Sequence, residues 1–258
     1  MVQDPGIARW RWRAQHLVWP GAVPAREAAG SLVAVPAENP GQAAWAVAPR
    51  TPNPDQAELA ALLDEGAVVR THVLRPTWHF VRAEDTGWLL DLTGPRVRRV
   101  TGQQLPDAHG LDERAIGQAV TAVTHVLAGR GQLTRAQRAD ELRERGIRGS
   151  RPTPMILLAR AELGGLICSR PVAGGEHTYA LLAERVPAPR RPGRAEALAD
   201  LALRYFTGHG PATERDLAYW ATLTLTDVRA GRSVQGLAST TAISLAAGSW
   251  TVLPFGRA

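Results

Sequence analysis

The stretch LDERAIGQAVTAVTHVLAGRGQLTRAQRADELRERGIRGSRPTPMILLARAELGGLICSRPVAGGEHTYALL, residues 111–182, decides the fold. Ile116, Val120, Val123 and Leu127 recur at helical spacing, so a helix is expected over 111–127. Thr134 with Gln137 three residues on is a capping box, which starts a second helix running to about Arg145. Gly146 and Gly149 stop it. Thr153-Pro154 opens a third helix over Met155–Leu163, since proline is tolerated at the first helical position, and Gly164-Gly165 ends it. LICSRPV and EHTYALL then flank Ala173-Gly174-Gly175, a hairpin signal. A helix, a helix-turn-helix and a two-stranded hairpin, in that order, make a winged helix.

Downstream the pattern starts again. Leu198, Leu201, Ala202 and Tyr205 share one face of a helix over Arg194–Thr207. His209-Gly210-Pro211-Ala212 breaks it, Thr213 caps a helix carrying Leu217, Trp220 and Ala221, and Thr226 is expected to cap another through Val228 to Val234. The tail Ile243–Pro254 supplies wing strands. Upstream, Pro24–Val35 and Asp55–Asp64 read as helices, and VVRTHVL and TWHFVRAED as strands around Arg75-Pro76, with VAVPAENPGQAAWAV as an insertion. The expected class is therefore α+β, mainly helical, with tandem winged-helix units. These are an N-terminal unit (1–105), a middle unit (111–186) and a C-terminal unit (194–258) that looks cut short. Linkers are expected near Val100–Gly110 and at Pro187–Gly193, where PAPRRPG reads as exposed and stiff.

Composition narrows the chemistry. Of 258 residues, 30 are basic and 24 acidic, a net charge of +6, and the sequence contains no lysine, so every basic residue is arginine. A phosphate-loop lysine, a pyridoxal Schiff base and a lysine-based lyase are thereby excluded. Arginine offers instead a planar fork suited to phosphate oxygens and guanine edges. The single cysteine, Cys168, excludes a disulfide framework and a Cys-cluster metal site. No apolar run approaches the roughly 20 residues of a membrane helix, and no secretion signal opens the chain. A cytoplasmic, nucleoid-associated location is expected, with no membrane and no cofactor.

Three stretches carry a family resemblance: AVVRTHVLRPTWHFVRAEDTGWLLDL, then LTRAQRADELRERGI with ILLARAELGGLICS, then HGPATERDLAYWATLTLTDVRAG. In order and spacing the chain resembles the AlkZ/YcaQ-type winged-helix DNA glycosylases. The resemblance implies a C-shaped scaffold with a basic concave face for duplex DNA. It also implies a short catalytic loop of the form polar–apolar–polar, whose side chains hold the water that attacks C1′ of a damaged nucleotide. The matching stretch here is Val35-Pro36-Ala37-Glu38-Asn39-Pro40. Pro36 stands at the first polar position and removes one water-orienting group. Glu38 stands at the second, where a carboxylate can accept a proton and stabilise an oxocarbenium-like centre. Asn39 and Gln42 are the amides at hand to replace the missing one.

Each candidate has a plainer alternative. Glu38 is otherwise a surface carboxylate in a proline-rich loop. Thr77 and His79, at alternate positions of one expected strand, face the same side. The resemblance puts them near the DNA, whereas a histidine there, like His72, is more commonly a satisfied core residue. No HxH or HExxH pattern occurs among the seven histidines, so no metal site is expected. Of the tryptophans, Trp10, Trp12, Trp19, Trp78, Trp88 and Trp220 read as core, and Trp45, beside the loop, as the platform for an extruded base. Arg148, Arg151, Thr153 and Arg160 surround the start of the middle unit's recognition helix, where they would contact phosphates. Its side chains Met155, Ile156, Leu157 and Leu158 are apolar, which favours recognition of backbone shape over base edges. Double-stranded, damaged or alkylated DNA is the expected partner. The leading function is a monofunctional DNA glycosylase, and the alternatives are a non-catalytic DNA-binding protein or a winged-helix protein-interaction scaffold.

Overall fold

A computed structural model describes residues 5–18, 22–102, 113–129, 133–134, 137, 140, 144, 153–173, 176–186, 189–234, 242–245 and 248–251. The chain is mostly helical with small antiparallel sheets, an α+β fold. It divides into two compact units, Met1–Ala61 with Arg191–Ala258, and Leu62–Arg190. The first unit joins both ends of the chain, so these bounds differ from those of the three sequence segments.

The first unit contains α1 (Pro5–Ala14), α2 (Ala25–Ser31), β1 (Val35–Pro36), α3 (Pro40–Val47) and a 3-10 turn at Ala48–Arg50. Most of α4 (Ala57–Glu65) follows, the unit boundary falling within it. From the far end come α9 (Arg194–His209), α10 (Glu214–Trp220), α11 (Leu225–Val234) and a hairpin of β7 (Ala242–Leu245) and β8 (Gly248–Thr251). Helix α9 is the spine, and α1, α2 and α11 pack on it. Leu198, Leu201, Ala202 and Tyr205, the stripe its periodicity predicts, are buried, and Phe206 is buried beside them. Small residues allow the close approaches. A Cβ on Gly208 would stand 2.7 Å from the Ser31 carbonyl oxygen, and one on Gly231 would collide with the Leu198 carbonyl. Thr213 and Asp216 form the capping box that opens α10.

The second unit contains β2 (Val68–His72), β3 (Trp78–Arg82), α5 (Ala83–Gly102), α6 (Glu113–Leu127), β4 (Leu133–Thr134), α7 (Thr153–Leu163), β5 (Ile167–Ala173), β6 (Glu176–Leu181) and α8 (Leu182–Arg185). Its strands lie in the order β3-β2-β5-β6-β4, and the recorded pairings are antiparallel. Val123, Val126 and Leu127 of α6 pack with Leu158 and Ala161 of α7 and with Ile167 and Tyr179 of the β5–β6 hairpin. The Thr134–Gln137 capping box is present: the Gln137 N–H donates to Thr134 Oγ1 at 3.2 Å, and the Thr134 N–H to Gln137 Oε1 at 2.9 Å. Gln137, Asp140 and Glu144 are helical.

Several expectations are corrected. Strand β3 begins at Trp78, which leaves Thr77 in the preceding bend, and the RAED stretch belongs mostly to α5, where Glu84 and Asp85 suit a helix N-terminus. Thr224, not Thr226, caps α11: it is paired with Asp227 three residues on, and the Asp227 N–H donates to its hydroxyl at 3.1 Å. The presumed insertion holds helix α3, and α1 was not foreseen. Helix α5 runs through Gly102, past the expected start of a linker at Val100. Nor is the other linker wholly exposed. Pro189 lies over Gly87, and the Arg190 N–H donates to the Glu84 carbonyl at 3.1 Å. Most of the presumed linker 100–110, and Trp19, lie outside the described residues.

Candidate functional site

In the first unit the loop that carries Glu38 leads directly into α3. Ala37 is buried and fixes the loop, while Pro36, Glu38 and Asn39 are exposed. Asn39 is extended, and its Oδ1 accepts the Gln42 N–H at 3.2 Å, so its side chain caps the helix. Pro40 follows at the first position, where its missing N–H costs nothing. Ala43 and Val47 turn inward. Asn39, Gln42 and Trp45, spaced by three, lie along one exposed strip of α3 with Glu38 just before it. Trp45 is 56% exposed. A carboxylate, two amides and a flat indole thus occupy about two turns of one surface. Those groups are able to hold water and to stack on a ring.

The second unit contains a polar cluster that sequence reasoning missed. On one face of the β2–β3 hairpin stand Arg70, His72 and Trp78. His72 Nδ1 hydrogen-bonds Glu162 Oε2 of α7, and Ser169 of β5 donates its hydroxyl to Glu162 Oε1 at 3.0 Å. Arg70 Nη1 donates to Ser169 Oγ at 3.1 Å, and its guanidinium lies 4.4 Å from the centre of the Trp78 ring. The His72 ring lies 4.3 Å from Trp78. Glu162 is fully buried, so the pairing replaces the water its carboxylate has lost. One signal was available: Glu162 falls four residues after Leu158, on the core face of an otherwise apolar helix. His72 is thus a satisfied core histidine.

On the other face of the hairpin Thr71 pairs directly with His79, and both are fully buried. His79 Nδ1 donates to the Thr77 carbonyl at 3.0 Å, leaving Nε2 as an acceptor without a partner among the described residues. Burial pushes the imidazole down to about 4; the hydrogen bond to the Thr77 carbonyl opposes this, and Arg75 and His72 add to it by repelling a charged ring, so His79 is neutral at physiological pH. Thr77 itself is half-buried in the bend.

Of the expected phosphate contacts, Arg160 sits on α7 with Nη1 donating to the Arg98 carbonyl at 3.2 Å. Thr153 opens α7. Arg148, Arg151 and the Thr153 side chain lie outside what is described. Leu157 packs with Ile116 and Ala119, and Leu158 belongs to the neighbouring core cluster, against which Met155 packs. Cys168 is buried; burial, and then the Glu162 charge, pushes its thiol up to about 12, which makes it inert. Among the described residues no three His, Cys, Asp or Glu side chains are grouped to hold a metal, and no helix is long and apolar enough to cross a membrane.

Residues 29–248 match the family model described as DNA glycosylase AlkZ-like. Among solved structures the chain is similar to the Streptomyces sahachiroi DNA glycosylase AlkZ, with a TM-score of 0.72 at 23% identity, covering 96% of this chain and 68% of that one. At that identity the likeness concerns the fold. No curated protein sequence matches.

Proposed function

The chain belongs to the AlkZ-like DNA glycosylase family, and from that premise we propose that it binds duplex DNA and hydrolyses the N-glycosidic bond of an alkylated base. In this reading Glu38 activates the attacking water and stabilises the developing oxocarbenium ion. Asn39 holds the start of α3 through its cap, and its remaining amide and that of Gln42 orient the water. Trp45 stacks on the extruded base. Thr77, Arg148, Arg151, Thr153 and Arg160 contact the DNA, through three winged-helix units over 1–105, 111–186 and 194–258, whereas His79, expected from the sequence to do so, is fully buried and is left out of that set. The observation that carries the reading is the exposed strip of Asn39, Gln42 and Trp45 that begins beside Glu38.

Base release from a duplex containing N7-alkylated guanine tests it, with the protein compared against Glu38→Gln and Glu38→Ala. Release by the unaltered protein and its loss in the Ala variant is the expected result. A second reading, a DNA-binding relative without chemistry, is favoured by Pro36 at a position where the family places a polar group. Duplex binding with no base release from any of the three proteins would select it.

A further inference from the structure

Trp10 and Trp12 read as core residues in the sequence, but helix α1 leaves both exposed. Its sequence PGIARWRWRA holds three arginines and no acid. Successive residues turn about 100° around a helix, which puts Ile7, Arg11 and Ala14 on one side. That side faces inward. Ala14 is buried, Ile7 and Arg11 are half-buried, and Arg11 Nε donates to the Pro211 carbonyl at 3.0 Å. The opposite arc presents Trp12, Arg9, Arg13 and Trp10 in that angular order. Arg9 and Arg13 are exposed at its centre, with Trp12 57% and Trp10 43% exposed on its flanks.

The arrangement of charge and ring selects the partner. A helix that lies on a lipid surface gathers its aromatics on one face and its cations on another. Here the guanidiniums stand between the indoles, and no apolar face is left to enter lipid. A second copy of the chain would bring like charges together. A nucleic-acid strand offers what both groups need, phosphates for the arginines and base faces for the rings. We propose that α1 is a further DNA-contacting surface that grips a strand with unstacked bases, Arg9 and Arg13 on phosphates and Trp12 on a base. This rests on the DNA-binding reading given above, and it places the contact on residues outside the Glu38 loop.

The test measures binding to an oligodeoxythymidine of about 20 nucleotides, longer than the site of a single module, and to a duplex of matching length, over a range of salt. The unaltered protein is compared with Arg9→Ala/Arg13→Ala, Arg9→Lys/Arg13→Lys and Trp12→Ala. The double alanine variant is expected to flatten the single-strand salt dependence by about 1.4 in log–log slope, two phosphates at roughly 0.7 each. The lysine variant keeps the slope, and Trp12→Ala weakens single-strand binding roughly tenfold with the slope unchanged. All substituted side chains are exposed, and circular dichroism checks that the helix content survives. Variants that bind as the unaltered protein does would overturn the assignment while leaving the family reading intact. So would binding of the unaltered protein to the duplex but not to the single strand. Tight binding of phosphatidylserine vesicles that Arg9→Ala/Arg13→Ala abolishes, with DNA binding unaffected, would give α1 to a membrane instead. No binding of the unaltered protein to either DNA would overturn both readings together.

Discussion

Glu162 shows how a single buried charge organises its surroundings. Its two oxygens accept from His72 and Ser169, and Ser169 in turn accepts from Arg70. Truncation to alanine leaves a buried imidazole and a buried hydroxyl without their acceptor, so Glu162→Ala is expected to cost on the order of 3 kcal/mol. Glu162→Gln should cost less, because it keeps the shape and one acceptor. Urea denaturation of the two variants checks the order. Two buried histidines contribute to acid sensitivity. Burial pushes both His79 and His209 down to about 4. Between that value and the unfolded value near 6.5 the unfolded chain binds more protons, so stability falls as pH is lowered through this window. Each histidine should remove on the order of 2 kcal/mol by about pH 5. Urea midpoints measured near pH 7 and near pH 5 should therefore separate in the unaltered protein and draw together in His79→Gln/His209→Gln.

At the scale of elements, the first unit depends on how closely its helices approach. Gly231 of α11 has no room for a Cβ against the Leu198 carbonyl of α9, and backbone cannot rotate aside as a side chain can. Gly231→Ala is expected to force the two helices apart at a cost of about 2 kcal/mol, despite alanine's better helix propensity. Gly117→Ala makes the control, since a Cβ there meets nothing within 4 Å, and it should be neutral or slightly stabilising; thermal unfolding of the pair separates packing from propensity. The caps are a second element-scale feature. Removing the Thr224 hydroxyl, which accepts the Asp227 N–H, should cost about 1 kcal/mol. Thr226→Ala, at the position the sequence pattern favoured, should cost little.

For the whole molecule the absence of lysine has a chemical consequence. All 30 basic residues are arginine, so no side-chain amine is available to attack C1′ of an abasic site. Base release, if it occurs as proposed, should leave an unbroken strand, and borohydride should trap no covalent protein–DNA complex through a side chain. A trapped adduct mapping to a side chain would overturn the water-based mechanism. The same charge should make duplex binding weaken steeply as salt rises, because arginine–phosphate contacts release counterions.

The sequence by itself determined whatever rests on local rules. Helices α6, α7 and α9, the β5–β6 hairpin, the box at Thr134 and the cap at Thr213 were legible, because periodicity, capping and turn chemistry each depend on residues a few positions apart. The family, too, was carried by linear order. What failed was local competition and distance. Thr224 and Thr226 are both plausible caps, and the Asp227 carboxylate three residues after Thr224 closes the box on the first. Trp10 and Trp12 look like core residues as letters, and only the tertiary structure decides which face of α1 the rest of its unit covers. Above all, the cluster of Arg70, His72, Glu162 and Ser169 joins residues about 90 positions apart in sequence. No spacing rule reaches that far. Folding brings them together because a carboxylate at a core position must find its partners inside the protein once water has gone.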